Sequence, residues 1–331
     1  MGGPAGTHAV GFPPTARRVD MPAHLTLGTG LLSGRTSPSR ARRIIDAALD
    51  AGVTRVDTAR AYGSGETEHL LGAALRTHPD VTVITKVGLG PLSRQVVSAL
   101  KWRAASPLVG LLPAGVGGRA AMGDEDADDD AGPRLDEESI RISIDRSRRA
   151  LRRERLDVVL LHELDAGPEA DAATDVMDAL VAEGVIGAWG VGTRRAALRR
   201  LAAASARIGA LVQTTGGPLL PAPKVPDDVP ISVHSVLGPG GGLLNALLAW
   251  LPGSGFAEVW EGTVGPVDAR RTAGTEVIRA AVADPATAAV LVSSRDPRAL
   301  HRTVVSAAEG ASPERLERLS SVFEAFRNRA S

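Results

Sequence analysis

Short runs of apolar, mostly β-branched residues alternate along this chain with longer segments whose apolar positions recur at helical spacing. Runs such as VTVITKVG and LDVVLLHE are typical of buried strands, and PSRARRIIDAALDAG is typical of an amphipathic helix that ends at a glycine. Strands that alternate with helices build parallel sheets from βαβ units. Because the strand pattern occurs eight times, it favours a closed barrel over an open sheet.

The predicted fold is therefore of the α/β class, a single (β/α)8 TIM barrel with one extra C-terminal helix, SPERLERLSSVFEAFRNRA. A doubly wound nucleotide-binding sheet is disfavoured because no GxGxxG motif follows the first strand. We predict a flexible N-terminal arm over residues 1–20, which are rich in Pro and Gly. One barrel domain is then expected over residues 21–331.

Two segments interrupt the alternation, and both follow the carboxyl end of a strand. Residues 91–133 come after the third strand and residues 238–268 after the seventh, and we predict both as long loops. The acidic second half of the first, an inserted loop, is expected to be mobile. Loops at these strand ends carry the active sites of barrel enzymes, so both are expected to shape a substrate pocket. Four large side chains in or beside these segments either line the pocket or pack in the core: Trp102, Trp250, Trp260 and His234.

Composition narrows the class of partner. The 38 basic and 38 acidic residues give a formal net charge of zero, which gives no reason to expect nucleic acid or an anionic membrane surface. The absence of Cys excludes disulfides, thiolate metal sites and cysteine nucleophiles. The sequence has neither a signal-peptide core nor an apolar run that could span a bilayer. We therefore expect a soluble, cytoplasmic protein that acts on a small molecule, with its oligomeric state left open.

Three polar residues stand at the carboxyl ends of successive predicted strands: Asp57 in RVDTA, Lys86 in VITKVG and His162 in VLLHE. The carboxyl ends of barrel strands converge on one mouth. Each strand is apolar, so each polar group is carried into a buried setting, where a charge is costly unless it is paired. Asp57 and Lys86 are expected to form such a pair, because their strands are neighbours.

Tyr62, the only tyrosine of the chain, lies on the loop that leaves the strand of Asp57. A phenol has a pKa of about 10, and a nearby ammonium such as that of Lys86 is expected to lower it. His162 could then hydrogen-bond a substrate carbonyl. These groups can protonate an oxygen while a hydride reaches the carbon. Taken singly, each residue also has an ordinary structural interpretation as a turn residue, a solvated charge or a packing residue.

The stretch DTARAYGSGE (57–66), continued by LGAAL (71–75), resembles the motif of the aldo-keto reductase family. ITKVG, SIDRSRRALRRERLDVVLLHE and EGVIGAWGVGT resemble further segments of that family, and the resemblance extends over roughly residues 24–90 and 135–310. It implies a barrel that transfers hydride between NADPH and a carbonyl. By this resemblance the catalytic tetrad is Asp57, Tyr62, Lys86 and His162, with Tyr62 as the general acid.

The resemblance also implies residues that bind the cofactor NADP. Gln213, at the end of the sixth strand, matches the glutamine that contacts the nicotinamide carboxamide. VLVSSRDPRALHR resembles the phosphate-binding segment, which contains Ser293 and places Ser294 and Arg295 beside the adenosine 2′-phosphate. For Arg295, a solvated surface charge is the alternative interpretation.

The sequence departs from the family pattern at cofactor positions. Gly192-Thr193 stand where the family has Ser-Asn, so a contact to the carboxamide is either lost or made by Thr193. Arg302-Thr303 replace the usual Glu-Asn, which removes the expected partners of the adenine. Val292 and Ser293 stand where the family often has Pro or Gly before the phosphate loop. The catalytic positions are thus matched better than the cofactor positions.

The sequence supports the hypothesis of an NADPH-dependent oxidoreductase that reduces an aldehyde or ketone to an alcohol, or catalyses the reverse. The substrate could be a sugar or an intermediate of secondary metabolism. The altered cofactor positions motivate one alternative, a non-catalytic or regulatory nucleotide-binding barrel. A second alternative is a lyase or isomerase that uses Tyr62 and Lys86. A metal-dependent hydrolase is disfavoured and no metal site is predicted, because Asp57 and His162 lack convincing further ligands. The sequence leaves the substrate, the direction and the choice between NADPH and NADH open.

Overall fold

The computed structural model describes the chain in four stretches: residues 25–33, 36–89, 134–225 and 229–329. Three features expected from the sequence lie outside the described residues, namely the arm over residues 1–20, the insertion over residues 91–133 and Trp102. Within the described stretches, none of the helices combines the length and the apolar content that crossing a bilayer requires.

Eight parallel strands close into a barrel in chain order, with the first strand paired to the last. They are β1 (Leu25–Gly28), β2 (Arg55–Asp57), β3 (Thr82–Val87), β4 (Leu156–His162), β5 (Ile186–Gly192), β6 (Val212–Thr215), β7 (Ile231–His234) and β8 (Thr287–Val292). The predicted (β/α)8 barrel is confirmed. Because all the strands are parallel, their carboxyl ends meet at one mouth, where residues distant in sequence come together.

The described residues contain ten α-helices. They are α1 (Pro38–Asp50), α2 (Glu66–Ala74), α3 (Glu137–Leu151), α4 (Pro168–Ala182), α5 (Arg195–Ala203), α6 (Gly242–Trp250), α7 (Ala257–Thr263), α8 (Arg270–Ala283), α9 (Pro297–Ala308) and α10 (Pro313–Asn328). Among the described residues no helix joins β6 to β7, whereas α6, α7 and α8 all lie between β7 and β8. The extra helix after the barrel, predicted from the sequence, is α10.

Capping side chains fix the start of several helices. Ser37, Asp136, Asp296 and Ser312 each accept a hydrogen bond from a backbone N–H in the first turn of the helix that follows. Each cap satisfies a donor that the helix itself leaves unpaired, and such a cap stabilises a protein by about 1 kcal/mol. The cap by Asp296 lies in the loop that leaves β8, at the mouth of the barrel.

The inner face of the barrel carries a small apolar cluster made of Ile84, Val158, Leu160 and Leu211. Side chains two residues apart on a strand share a face. Ile84 therefore shares its face with Lys86, and Leu160 shares its face with His162. The polar groups at the mouth thus stand directly above an apolar floor, which removes water from one side of them.

The segment after β7, expected from the sequence to be a long loop, instead forms α6 and α7. Its apolar residues pack against α10 in a second core beside the barrel. Trp260 is fully buried, with its ring centroid 6.4 Å from that of Phe323. The ring centroid of Trp250 lies 5.7 Å from that of Phe326. Of the two interpretations open for these tryptophans, the structure supports packing, because α10 supplies the aromatic partners.

Candidate active site

A buried ion pair forms the base of the site. Lys86 Nζ lies 2.6 Å from Asp57 Oδ1, and the side chains of both residues are 2% exposed. The ammonium also donates to the Thr58 carbonyl at 3.0 Å, and Gln213 Nε2 donates to Asp57 Oδ2 at 2.8 Å. Both carboxylate oxygens are therefore bonded, which is the condition under which a buried charge is tolerated.

Tyr62 lies on the turn between β2 and α2 and is half-buried beside this pair. Lys86 Nζ is 5.3 Å from the centroid of the phenol ring. Burial raises the pKa of Tyr62, the ammonium of Lys86 lowers it, and the carboxylate of Asp57 raises it again. The net pKa is raised, so the lowering expected from the sequence is wrong for this barrel: Asp57 offsets the charge of Lys86, and burial decides the balance. The phenol is protonated at neutral pH.

Lys86 remains an ammonium in spite of its burial. Loss of hydration lowers its pKa, but the Asp57 carboxylate and Tyr62 together outweigh that effect and leave the pKa raised. A lysine held in this way is a fixed positive charge beside the phenol. It can stabilise negative charge on the Tyr62 oxygen when the proton leaves.

Two histidines stand at the mouth, at the ends of β4 and β7. Burial first, and then the positive charge of Lys86, lower the pKa of His162 to about 3 and that of His234 to about 4. His234 Nδ1 lies 3.1 Å from the hydroxyl of Ser235. Both rings are therefore uncharged at neutral pH. The structure places His234 at the mouth with the four residues of the predicted tetrad.

These histidines are expected to make the barrel sensitive to acid. Histidine in an unfolded chain has a pKa of about 6.5, so below that pH the unfolded chain binds protons that the folded chain does not. The contribution of these two histidines to the free energy of unfolding is then fully present above about pH 6.5 and is lost as the pH falls towards their folded pKa values. Urea denaturation at a series of pH values over this interval measures the effect. In His234→Asn the free energy of unfolding should change less steeply with pH than in the wild type. The same pH dependence in His234→Asn as in the wild type would contradict a neutral, half-buried His234.

Thr193 and Gln213 lie side by side at the ends of β5 and β6. The Thr193 hydroxyl donates to the Leu164 carbonyl at 3.0 Å, which leaves its lone pairs to accept. The amide nitrogen of Gln213 gives one of its two N–H groups to Asp57, so its oxygen and its second N–H remain for a ligand. The pair therefore presents two acceptors, which suits the NH2 group of an amide.

Ser293, Ser294 and Arg295 connect β8 to α9, as the sequence predicted. The Ser293 hydroxyl donates to the Gly28 carbonyl at 2.7 Å, and the Ser294 hydroxyl accepts from the backbone N–H of Asp296 at 3.0 Å. Arg295 is exposed beside the first turn of α9. These three residues lie on the β8 side of the mouth.

The surroundings of Asp296 show that this helix start favours negative charge. Backbone N–H groups of α9 hold the pKa of the Asp296 carboxyl below its usual value, and the positive charges of Arg302 and Arg40 lower it further. A helix N-terminus flanked by arginines is suited to a phosphate group. Arg302, a departure from the family pattern, thus adds to the positive charge.

One local feature, the glycine run between β7 and α6, was not recognised in the sequence. The chain leaving β7 runs through GPGGG into α6, and Gly238, Gly240 and Gly241 all have positive φ values, of 76°, 59° and 78°. The N–H of Gly238 donates to the Ser235 carbonyl at 2.7 Å, and that of Gly241 donates to the Gly238 carbonyl at 2.9 Å. These glycines therefore form a tight turn into α6 whose amides are already bonded. The signal was the glycine run directly before the apolar helix LLNALLAW, at a strand end that faces the mouth.

Comparison with protein families identifies the fold family. The model of the "Aldo/keto reductase family" matches residues 24–212 of the chain, which is more than half of it. The chain belongs to the aldo/keto reductase family. Asp57, Tyr62, Lys86 and His162 all lie within the matched residues.

Among curated proteins, this aldo/keto reductase is similar to the 6-dehydroglucose reductase of Agrobacterium fabrum, at 28% identity over 48% of this chain and 46% of the relative. It is also similar to the D-threo-aldose 1-dehydrogenase of a Pseudomonas species, at 31% identity over 50% of this chain and 47% of the relative. The chain thus matches about half the length of each of these relatives.

Solved structures share the whole barrel. The glycerol dehydrogenase AKR11B4 of Gluconobacter oxydans matches with a TM-score of 0.63 at 19% identity, over 92% of both chains. An aldo-keto reductase of Klebsiella pneumoniae, solved in complex with NADPH, matches with a TM-score of 0.60 at 18% identity, over 92% of this chain and 90% of that one. At these identities the likeness concerns the fold.

Proposed function

We propose that this aldo/keto reductase is an NADPH-dependent oxidoreductase that reduces the carbonyl group of a small molecule to an alcohol and catalyses the reverse oxidation. The observation that carries the proposal is the buried Lys86–Asp57 pair, with 2.6 Å between Nζ and Oδ1, beside a protonated phenol at the barrel mouth. These groups can deliver a proton to a carbonyl oxygen and stabilise the phenolate that remains. NADPH would supply the hydride for the carbonyl carbon.

In this proposal Tyr62 is the proton donor. Its raised pKa keeps the phenol protonated at neutral pH, so the acid form needed for reduction is fully populated. As the proton leaves, the ammonium of Lys86 stabilises the negative oxygen. In the oxidative direction the phenolate takes the proton of an alcohol, which favours oxidation at alkaline pH.

His162 is proposed to orient the carbonyl. Because its pKa is about 3, the ring is neutral in the working range and cannot be the main source of the proton. A neutral imidazole still donates one hydrogen bond and accepts another. Directed at the substrate oxygen, such a bond fixes the angle at which the carbonyl faces Tyr62.

The residues around the mouth fit NADPH at two points. Thr193 and Gln213 offer acceptors for the NH2 of the nicotinamide carboxamide. On the β8 side of the mouth, Ser294 and Arg295 flank the N-terminus of α9, where Arg40 and Arg302 add positive charge. We propose that these groups bind the adenosine 2′-phosphate.

We propose a sugar or a related polyol as the substrate. The inner face of the mouth is lined by hydrogen-bonding groups, and its large aromatic neighbours Trp250 and Trp260 are instead packed against α10. The two curated relatives described above are named for reactions of a dehydroglucose and of an aldose. Their names support the sugar class and leave the particular sugar open.

Fluorescence titration tests the cofactor proposal, with the four tryptophans as the signal. We expect NADPH to bind more tightly than NADH. Arg295→Ala should weaken the binding of NADPH about tenfold, the usual effect of losing one charge-assisted hydrogen bond, and should leave the binding of NADH unchanged. Arg42→Ala is the matched control, because Arg42 is an exposed arginine paired with Asp46 on α1.

Two results would contradict this assignment. If Arg295→Ala weakened the binding of NADPH and NADH equally, Arg295 would not contact the 2′-phosphate. Failure of either nucleotide to bind, even at high concentration, would remove the redox proposal altogether. With binding established, a screen of aldoses and ketoses followed by the consumption of NADPH identifies the substrate.

A further inference from the structure

A second buried carboxylate lies directly behind the site. Glu68, on α2, is completely buried. One of its oxygens accepts a hydrogen bond from Arg60 Nη1 at 3.1 Å, and the other accepts from the Thr85 hydroxyl at 2.8 Å. Arg60 stands two residues before Tyr62, and Thr85 stands one residue before Lys86. A single carboxylate therefore joins the loop of the phenol to the strand of the ammonium.

We propose that Arg60 and Glu68 are positioning residues that hold Tyr62 at its working distance from Lys86 by binding the Tyr62 loop to β3. The proposal rests on the proposed role of Tyr62 as the proton donor. Neither residue touches the reacting atoms: Arg60 acts through the loop, and Glu68 acts through Arg60 and Thr85.

The backbone supports the same connection. The N–H of Arg60 donates to the Lys86 carbonyl at 3.4 Å, and the N–H of Thr58 donates to the Ile84 carbonyl at 2.8 Å. The first of these bonds is long, so the backbone alone holds the loop weakly at this point. The ion pair between Arg60 and Glu68, with side-chain exposures of 22% and 0%, supplies the stronger attachment.

Gly65 makes room for the arginine. Its φ of 91° is unfavourable for other residues, and a Cβ at this position would lie 1.9 Å from Arg60 Nη1. The guanidinium therefore occupies the space above the glycine, between the turn that carries Tyr62 and the start of α2. A side chain at position 65 would displace the guanidinium of Arg60 from its present position.

Tyr62 can be observed directly, because it is the only tyrosine in the chain. Ionisation of the phenol changes its near-ultraviolet absorbance, and Tyr62→Phe supplies the blank. In Arg60→Met and in Glu68→Gln we expect the titration of the phenol to move down towards the ordinary tyrosine value, because the released loop exposes the ring to water. Arg60→Lys, which keeps a cation for Glu68, should restore part of the shift.

Kinetics give the second readout. We expect kcat to fall about tenfold to a hundredfold in Arg60→Met, the cost of displacing a catalytic group by about 1 Å. The Kd for NADPH should be unchanged, because the ion pair between Arg60 and Glu68 lies on the β2–β3 side of the mouth. Arg60→Met combined with Glu68→Gln should be no worse than either change alone, since the two residues act as a unit. Arg42→Met, in a surface pair on α1, is the matched control.

The two readouts separate this proposal from the proposed function. If both variants lower the melting temperature but leave the phenol titration and kcat at the wild-type values, the pair is purely structural and the proposal is overturned. If Arg60→Met and Glu68→Gln both move the phenol titration and Arg60→Lys restores it, the positioning role stands, even if no carbonyl substrate is turned over. If no carbonyl substrate is turned over, only the proposed redox function is contradicted.

Discussion

Tyr62→Phe is expected to lower kcat/KM for carbonyl reduction by about 10²- to 10⁴-fold, the usual contribution of a positioned general acid. The change removes one oxygen and leaves the ring that packs beside Lys86. Because the phenol is protonated at neutral pH, the wild-type rate of reduction should be flat through neutral pH and should fall only as the pH rises above the raised pKa. In Tyr62→Phe this alkaline decline should disappear.

Nucleotide titration is the control for this prediction. The affinity of Tyr62→Phe for NADPH should equal that of the wild type, which shows that the chemical step alone has been lost. A variant that retains full activity would exclude Tyr62 as the proton donor. If the wild type instead converts a substrate without net consumption of NADPH, and Tyr62→Phe stops that conversion, the lyase or isomerase alternative replaces the reductase.

The positions of the proposed catalytic residues could be predicted from the sequence because polar residues at the ends of apolar barrel strands meet at one mouth. Asp57, Lys86 and His162 each end an apolar run, and parallel strands bring such ends together whatever the loops between them do. Tyr62 was predicted to join these residues because it follows Asp57 closely in the sequence and because of the motif around it. No comparable periodicity marks Gln213 as a partner of Asp57, because that contact joins β2 to β6 across the mouth.

Two features depend on distances and contacts in the folded structure and could not be predicted from the sequence. The sign of the Tyr62 pKa shift results from burial, Lys86 and Asp57 acting in opposite directions, and a sequence gives their presence without their distances. The segment after β7 contains the glycines and prolines of a loop, but its apolar residues pack against α10, which begins 50 residues after the end of α7. Tertiary packing therefore makes this segment helical.

Lys86→Met is expected to reduce the free energy of unfolding by about 3 to 5 kcal/mol, the cost of removing one partner from a buried ion pair. The loss arises because Asp57, with its side chain 2% exposed, keeps its charge without the ammonium 2.6 Å away. Adding a proton to the isolated carboxylate removes that charge. The stability deficit should therefore shrink as the pH is lowered. Urea denaturation at a series of pH values measures it.

The double variant Asp57→Asn/Lys86→Met separates stability from catalysis. Replacing both partners removes the unpaired charge, so the double variant should be more stable than Lys86→Met alone. Activity should stay as low as in Lys86→Met, because the cation that stabilises the phenolate is absent from both. The pKa of the single tyrosine should also rise above the wild-type value in Lys86→Met, since the ammonium that lowers it is gone. If the double variant regained activity with stability, the pair would only hold the barrel together and Lys86 would have no part in the proton transfer.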